Sequence, residues 1–326
     1  MPRGPDYESI DHESFDRPRR RTRPRTKERP TYDDAVAAVV VTVDRGRFTC
    51  HVDGRIVMAM KSRPLGRKGV VVGDRVQVVG DVSGDDGALA RIVSIDERQS
   101  TLRRTADDDD PVERVIVANA DQLAVVVALA DPEPRVGLID RALVAAYDEG
   151  MDPLLVLTKS DLASPDELLA TYGPLDVPYV VTRRGEDPSP VREKLAGRTT
   201  VLLGHSGVGK STLVNALVPT ADRAIGHVNA VTGRGRHTST SAIMLALPDE
   251  EGWIVDTPGI RSFGLAHVES GHLIRAFPDL DELTEHCPRG CTHAAGEPEC
   301  GLDLAEEGGE RARVESFRRL LASRES

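Results

Sequence analysis

Three patterned segments follow a polar tail along the 326-residue chain. Residues 1–31 hold almost no apolar side chains, so they bury too little surface to offset the entropy of ordering, and we predict a disordered tail. Residues 32–103 contain short β-rich runs punctuated by glycines and predict an all-β domain. In residues 104–266, apolar runs alternate with helical segments, which is typical of a parallel α/β domain. Residues 267–326 predict a mostly helical C-terminal domain.

The β-rich segment predicts five short strands and therefore a small barrel, with the strands at residues 36–43, 48–52, 56–60, 70–79 and 88–95. We predict an OB-fold barrel, and an SH3-like barrel fits the pattern nearly as well. The loop of residues 61–68 carries four positive charges, whereas Phe48 is nearly the only aromatic side chain available for stacking. Contact with nucleic acid is therefore expected at phosphates rather than at bases.

The central segment predicts strands that are buried on both faces, at residues 115–117, 123–129, 154–157, 179–181 and 199–203. One helix between them is well marked, because Ser164 suits its N-cap, Pro165 its first turn and Glu167 the partner position of a capping box. A C-terminal helix is predicted over residues 311–321. Its apolar face is expected to pack in the core and consists of Val314, Phe317, Leu320 and Leu321.

Residues 204–211 match the phosphate-loop pattern G-x-x-x-x-G-K-[ST], between an apolar strand and a helix-like segment. Glycines let backbone N–H groups turn toward the β-phosphate of a nucleotide. Lys210 is expected to span the β and γ oxygens, and the Ser211 hydroxyl to ligate Mg²⁺. The nucleotide-binding residues predicted here are Gly204, His205, Ser206, Gly207, Val208, Gly209, Lys210, Ser211 and Thr212.

A second element, the sequence D-T-P-G at 256–259, ends a predicted strand 46 residues after Lys210. Its D-x-x-G spacing would let Asp256 hold Mg²⁺ through water and bring the Gly259 N–H near the γ-phosphate. Because hydrolysis needs a group that senses the γ-phosphate, the two motifs together predict a nucleotide hydrolase.

The base is expected to be read by the T-K-S-D segment, which follows a predicted strand and comprises Thr158, Lys159, Ser160 and Asp161. It resembles the N-K-x-D signature of GTPases, in which the carboxylate accepts hydrogen bonds from guanine N1 and N2 while the lysine packs over the ring. Thr158 stands where Asn is usual, and we expect this change to remove the amide's contacts with guanine N7 and with the phosphate loop. Thr182 and Arg183, which follow the next predicted strand, resemble in position the Ser-Ala element of GTPases, in which a backbone N–H meets guanine O6.

The order of these motifs is informative, because ordinary GTPases run phosphate loop, D-x-x-G, N-K-x-D, whereas here the base-reading segment comes first. The GTPase domain is therefore expected to be circularly permuted. Together with the barrel and a C-terminal Cys/His cluster, the chain from about residue 35 resembles the bacterial ribosome small-subunit-dependent GTPase A (RsgA) family. Three further segments carry the resemblance, namely A-N-A-D-Q at 118–122, I-D-R at 139–141 and G-R-H-T-S-T at 235–240.

The resemblance implies a GTPase that binds the small (30S) ribosomal subunit, acts in its late maturation and is stimulated by it. By the same resemblance Thr238 is the switch residue that meets Mg²⁺ and the γ-phosphate, with Thr240 as the alternative. Ile260 follows D-T-P-G, and an aliphatic side chain cannot orient water. Either His237 or the ribosomal partner is then expected to position water, so we predict slow intrinsic turnover. The candidate catalytic residues are His237, Thr238 and Lys210.

The C-terminal segment contains a cluster of potential metal ligands, which are Cys287, Cys291, His293 and Cys300. Three thiolates and an imidazole are the donor set of a closed tetrahedral Zn²⁺ site, with no open position for water. We therefore predict a structural zinc ion in this domain. Cys50, in the barrel, is expected to be a small core residue.

The net charge of the whole chain and the charge of its segments point to different partners. The net charge of −11 argues at first against nucleic acid, but residues 17–29 hold eight basic side chains against Glu28, a local charge of +7. This run is either a solvated linker or an arm that binds polyanions. No apolar run approaches the roughly 20 residues of a membrane span, and the N-terminus does not read as a signal peptide, so the protein is expected to stay in the cytoplasm. We also expect a monomer. The expected partners are GTP or GDP and the small subunit with its rRNA.

Two other classes of function are compatible with parts of the sequence. A generic P-loop ATPase would share the phosphate loop but would not need the T-K-S-D segment. A nucleotide-gated RNA-binding module would use the same motifs with negligible turnover.

Overall fold

A computed structural model of the protein describes residues 32–66, 69–105, 113–221, 242–248, 251–257, 265, 268 and 270–324. The predicted tail of residues 1–31 lies outside them. The structure has an N-terminal barrel, a central α/β layer and C-terminal helices, so the predicted fold class is confirmed. None of the helices within the described ranges combines the length and the apolar character that crossing a bilayer requires.

The N-terminal barrel closes through hydrogen bonds between its first and fourth strands. Its strands are β1 (Val36–Asp44), β2 (Arg47–Val52), β3 (Arg55–Lys61), β4 (Arg75–Gly80) and β5 (Ala90–Ile95). Their order is β1-β2-β3-β5-β4, antiparallel except for the parallel pair β3–β5, which is the OB-fold rather than the SH3-like arrangement. The interior is apolar and includes Cys50, so the core role expected for this cysteine is confirmed.

The fourth strand is shorter than residues 70–79, which the apolar run predicts. It begins at Arg75, because Gly73 has a φ of +86° and turns the chain just before it. The buried Asp74 carboxylate holds this turn by accepting hydrogen bonds from Val71 N at 2.7 Å and from Arg98 Nε at 2.7 Å.

A separate two-stranded ribbon joins the barrel to the central layer. It consists of β6 (Thr101–Thr105) and β7 (Glu113–Ala118), which pair antiparallel. The prediction that residues 115–117 belong to the parallel sheet is therefore wrong. An apolar run indicates burial but does not identify the neighbouring strand, and Asn119, with a φ of +55°, turns the chain before the sheet begins.

The central layer is a parallel sheet covered on both faces. Its strands are β8 (Gln122–Ala128), β9 (Asp152–Thr158), β10 (Tyr179–Val181), β11 (Thr199–Leu203), β12 (Ile243–Ala246) and β13 (Trp253–Asp256), in the order β10-β9-β8-β11-β13-β12. Only β12 runs antiparallel. Helices α1 (Val136–Asp148) and α2 (Asp166–Tyr172) lie on one face, and α3 (Ser189–Leu195) and α4 (Lys210–Leu217) on the other.

The N-terminus of α2 differs slightly from the prediction. The helix begins at Asp166, and Ser164 Oγ accepts a hydrogen bond from Asp166 N at 3.3 Å. The N-cap position is therefore Pro165, which makes no side-chain cap hydrogen bond, and the prediction of Ser164 as the N-cap is wrong by one residue.

The C-terminal helices pack against α1 in the same hydrophobic core. They are α5 (Ser270–Ile274), α6 (Pro278–Leu283) and α7 (Gly309–Ser323). The predicted apolar face of α7 is buried as expected, with Phe317 against Phe277 at a ring distance of 5.5 Å and Phe277 against Tyr147 at 4.9 Å. This packing fixes the C-terminal segment to the α/β layer.

The barrel is also joined to the central sheet, so that one hydrogen-bonded sheet extends through both. Strand β12 pairs with β1 where Ile243 faces Thr42. Beside this pair, the His51 ring of β2 meets the Trp253 ring of β13 edge to face at 5.0 Å.

Candidate nucleotide-binding site and metal centre

The nucleotide motifs predicted from the sequence converge at one edge of the parallel sheet. The T-K-S-D segment begins at Thr158, the last residue of β9, the phosphate loop follows β11, and Asp256 ends β13. Because these three strands are parallel, their carboxyl ends open on the same edge, where ligands bind in sheets of this type. The fold therefore brings together three segments that are far apart in sequence.

The phosphate loop has backbone geometry that only glycine suits. Gly207 and Gly209 have φ angles of +88° and +92°, in the left-handed region. A Cβ atom on Gly204 would lie 2.7 Å from Val126 O, so this position has no room for a side chain. Helix α4 begins directly after the loop at Lys210. Its first N–H groups therefore point toward the loop, as phosphate binding requires.

The polar side chains of the loop divide into two groups. Ser206, Ser211 and Thr212 are exposed at the loop and the first turn of α4. His205 is half-buried, and its Nδ1 lies 3.0 Å from Ser206 O. The two serines and the threonine are therefore accessible to a ligand at this edge.

Lys210 connects the phosphate loop with the end of β13. Its Nζ donates hydrogen bonds to Asp256 Oδ1 at 2.5 Å and to Thr257 O at 2.8 Å. Thr257 is itself fixed, because its buried hydroxyl donates to Leu202 O at 2.8 Å. The charged groups predicted for phosphate and metal binding thus lie side by side.

The T-K-S-D segment is bonded to the phosphate loop through its first residue. Thr158 Oγ1 donates to Val208 O at 2.6 Å in a buried position. The expectation that threonine removes the contact with the phosphate loop is therefore wrong, because the hydroxyl is close enough to make this contact itself.

The rest of the base-reading segment is held from two sides. Lys159 has a φ of +58°, and its ammonium donates to the carbonyl of Asp131. Thr182 is buried, and its carbonyl accepts a hydrogen bond from Ser160 N at 3.4 Å. Asp161 is exposed at the end of the segment. The contact with Asp131 is a feature that the sequence does not signal, since no motif marks that residue.

Five residues of the predicted site or its immediate surroundings lie outside the part of the chain that the structure describes. These are His237, Thr238, Thr240, Gly259 and Ile260.

The predicted metal ligands form a single cluster. The ligand atoms of Cys287, Cys291, His293 and Cys300 all lie within 4.8 Å of one another. All three sulfur atoms approach the same imidazole nitrogen, Nδ1 of His293, at 3.6, 3.5 and 3.9 Å. Burial raises the pKa of the Cys291 thiol to about 11 and lowers the pKa of His293, which keeps the imidazole neutral. A neutral imidazole and three cysteine sulfurs, which bind a metal as thiolates, are donors that suit a soft or borderline metal ion.

Two neighbouring groups hold the cluster in place. Gly301 N donates to Cys287 Sγ at 3.1 Å, and a Cβ atom on Gly301 would lie only 2.0 Å from Leu283 O. Arg318, on α7, donates through Nε to His293 O at 3.2 Å and pairs with Asp303 at 2.8 Å. Hydrogen bonds to ligand atoms and ligand backbones of this kind orient a metal site.

Known proteins resemble this chain over most of its length. The model of the RsgA GTPase family matches residues 95–266. A protein of Gemmatimonas aurantiaca is 35% identical over 292 residues, which cover 86% of this chain and 92% of that protein. The chain belongs to the RsgA GTPase family. Another RsgA relative, from Azotobacter vinelandii, is 39% identical over 265 residues, which cover 78% of this chain and 75% of that protein. Both relatives are named small ribosomal subunit biogenesis GTPase RsgA.

Solved structures also resemble this member of the RsgA family over most of its length. YjeQ from Thermotoga maritima superposes with a TM-score of 0.65 at 27% identity, over 88% of this chain and 98% of that one. YloQ, described as a circularly permuted GTPase, gives a TM-score of 0.64 at 23% identity, over 91% of this chain and 98% of that one, and supports the fold.

Two RsgA-like motifs that suggested no chemistry from sequence have structural contacts. Asn119 Nδ2 donates to Gly73 O at 2.9 Å, and its Oδ1 accepts from Gln99 N at 2.9 Å, so this side chain connects the barrel with the start of β8. Asp140, on α1, accepts hydrogen bonds from Tyr172 Oη at 3.0 Å and from Arg319 Nε at 3.2 Å. Burial raises the pKa of Asp140 even though Arg319 opposes the shift.

Proposed function

We propose that this chain hydrolyses GTP to GDP and phosphate while bound to the small ribosomal subunit, late in the assembly of that subunit. The observation that carries the proposal is the hydrogen bond from Thr158 to Val208 O, because it joins a guanine-type reading segment to a phosphate loop at one sheet edge. The names of the RsgA relatives support the ribosomal part. A generic ATPase would have no use for the first of these two segments.

The proposed roles follow from donor and acceptor chemistry. The Asp161 carboxylate accepts hydrogen bonds from guanine N1 and N2, the backbone N–H of Thr182 meets O6, and Lys159 covers the ring. The glycine-rich loop surrounds the phosphates with N–H groups, and Lys210 neutralises their β and γ oxygens. Ser211, Thr238 and Asp256 would hold Mg²⁺, directly or through water, and Gly259 N–H would meet the γ-phosphate. Bound Mg²⁺ supplies charge neutralisation at the phosphate oxygens.

Positioning of the attacking water is proposed to depend on His237 or on the ribosomal subunit, since Ile260 offers no polar group. Intrinsic turnover would then be slow, and the subunit would accelerate it. Replacing His237 with Ala separates the two sources of water positioning. If the subunit-stimulated rate falls with this variant, the side chain takes part. If it does not, the subunit supplies the group.

The metal cluster is proposed to bind one structural Zn²⁺. Zn–S bonds of about 2.3 Å and Zn–N bonds of about 2.0–2.1 Å at tetrahedral angles imply S···N separations of about 3.5–3.6 Å. The separations of 3.5, 3.6 and 3.9 Å to His293 Nδ1 are close to that value. Four protein donors leave no coordination position for water, so the ion would stabilise the fold rather than take part in chemistry.

We propose that the protein contacts the rRNA of the small subunit. We also propose that it acts as a monomer in the cytoplasm, where small subunits are assembled. The basic run of residues 17–29 and the loop of residues 61–68 supply positive charge for phosphates. We further propose three folded domains with the boundaries expected from sequence, at residues 32–103, 104–266 and 267–326.

The deciding experiment measures phosphate release from GTP with and without purified small subunits. The expected result is slow release by the protein alone and faster release with subunits, which is lost in Lys210→Ala. Competition of labelled GTP by GDP but not by ATP would exclude a generic ATPase. Negligible release in both conditions, with GTP still bound, would instead favour the nucleotide-gated RNA-binding module.

A further inference from the structure

The hydroxyl of Thr158 can donate one hydrogen bond, and a carbonyl of the phosphate loop, Val208 O, accepts it. Thr158 Oγ1 lies 2.6 Å from Val208 O and 3.3 Å from Val127 O, both of which are carbonyl acceptors. The residue is only 6% exposed, so water does not compete for this bond. A threonine hydroxyl can donate one hydrogen bond, whereas the amide group of asparagine can donate two.

The phosphate loop lies directly beside the hydroxyl. Gly209 of that loop is near enough that a Cβ atom built on it would lie 3.7 Å from Thr158 Oγ1, at van der Waals distance. Rotating the hydroxyl toward the base would leave the carbonyl of the buried Val208 without this donor. An unsatisfied buried carbonyl costs more than one new hydrogen bond returns. The bond to the phosphate loop is therefore the stable arrangement.

Guanine N7 is an acceptor and needs a donor. Of the two charged side chains in the segment, the Asp161 carboxylate has only acceptors when ionised, and the Lys159 ammonium is held at Asp131 O and is proposed to cover the face of the ring rather than to reach its N7 edge. We infer that this chain binds guanine nucleotides without a hydrogen bond from its base-reading segment to N7, so that 7-deazaguanine nucleotides bind as tightly as guanine nucleotides. The inference rests on the proposed GTP-binding function.

The test compares GDP, 7-deaza-GDP and ADP as ligands of the full-length protein in Mg²⁺ buffer, by titration calorimetry. For the unmodified protein, the dissociation constants of GDP and 7-deaza-GDP are expected to agree within about twofold. Thr158→Asn adds a second N–H and is expected to create a preference for GDP of about 3- to 10-fold. Thr158→Ser, the matched control, keeps the single hydroxyl proton and should bind both nucleotides equally.

The outcomes separate this inference from the proposed function. If GDP binds no better than ADP, the proposed function fails and the inference fails with it. If GDP is preferred over ADP but 7-deaza-GDP binds tenfold more weakly than GDP, only the inference is overturned. Should Thr158→Asn fail to fold, the comparison of the two nucleotides on the unmodified protein and on Thr158→Ser still decides the matter.

Discussion

Lys210 Nζ lies 2.5 Å from Asp256 Oδ1, and the two side chains are only 11% and 21% exposed. One residue belongs to the phosphate loop and the other to the end of β13. Each is proposed to act on the phosphates of the nucleotide or on the accompanying Mg²⁺. Because each satisfies the charge of the other, nucleotide phosphates must compete with Asp256 for the lysine. This ion pair therefore links the phosphate loop directly to the D-T-P-G motif.

Replacing Lys210 with Ala is expected to lower GTP hydrolysis at least about 100-fold, because the charge that stabilises the β and γ oxygens is lost. Lys194→Ala, on the exposed part of α3, removes the same side chain away from the site and should keep the rate. Phosphate release with small subunits present measures both. Equal rates for the two variants would contradict the role of Lys210.

Replacing Cys291 with Ser is expected to remove the zinc, since one of four ligands is lost. Metal analysis should give one zinc per chain in the unmodified protein and much less in the variant. Cys50→Ala is the control, because this thiol lies in the barrel core outside the ligand cluster and its loss should leave the metal content unchanged. A strong chelator should lower the Tm of the unmodified protein but change the Tm of Cys291→Ser little.

Replacing Gly301 with Ala is expected to destabilise the C-terminal segment by about 2–3 kcal/mol, because the new methyl group would overlap the carbonyl of Leu283. Gly309, in the first turn of α7, has open space around its Cα, so Gly309→Ala should change stability by about 0.5 kcal/mol or less. Urea denaturation compares the two. Similar unfolding free energies would show that the backbone around Gly301 adjusts freely.

The buried Asp140 is expected to make stability depend on pH. Its pKa in the folded protein is raised above its ordinary value of 3.8, mainly by burial, so the folded state holds the proton more tightly than the unfolded state. This contribution to stability is present at low pH and is lost as the pH rises from about 4 through the raised pKa. Asp140→Asn cannot titrate, so the stability of the unmodified protein relative to this variant should fall over that range.

Denaturation curves for both proteins at several pH values above 4 measure this difference. The double variant Asp140→Asn with Arg319→Gln controls for the ion pair across α1 and α7. A stability difference that does not change with pH would mean that Asp140 titrates alike in the folded and unfolded chains.

Removing residues 1–31 is expected to weaken binding to small subunits if the basic run contacts rRNA. The run carries +7, so its loss could reduce the slope of log K against log salt by up to about 5–6. Deleting residues 1–16 alone leaves the run in place and serves as the control. If the deletion of residues 1–31 leaves both the affinity for small subunits and its salt dependence unchanged, the basic run is a linker and does not bind rRNA.

The sequence predicts the motifs well because each consists of neighbouring residues whose chemistry is local. Helix α4 begins at Lys210 of the phosphate-loop motif, and the four cysteine and histidine ligands form a cluster of their own. Pairing partners are different, because an apolar run such as residues 115–117 indicates a buried strand without identifying its neighbour. Strand β12 is short and was not expected, although it connects the sheet with the barrel.

For Thr158, too, the sequence does not identify which group the side chain contacts. From sequence, threonine in place of asparagine reads as a lost amide. Only the distance to Val208 O shows that the smaller side chain is close enough to bond the loop. Likewise, no pattern indicates that Asp140 meets Arg319, because the two residues are 179 positions apart.

The packing of α7 on α1 has a consequence for how the protein is made. Helix α1 (Val136–Asp148) is synthesised well before its partner α7 (Gly309–Ser323). Until α7 has been synthesised, the side of α1 that α7 covers stays exposed, and exposed apolar surfaces are what chaperones and proteases recognise. Any chain that lacks α7 keeps this surface exposed. The packing of α7 on α1 therefore closes an apolar surface that the first half of the chain cannot close by itself.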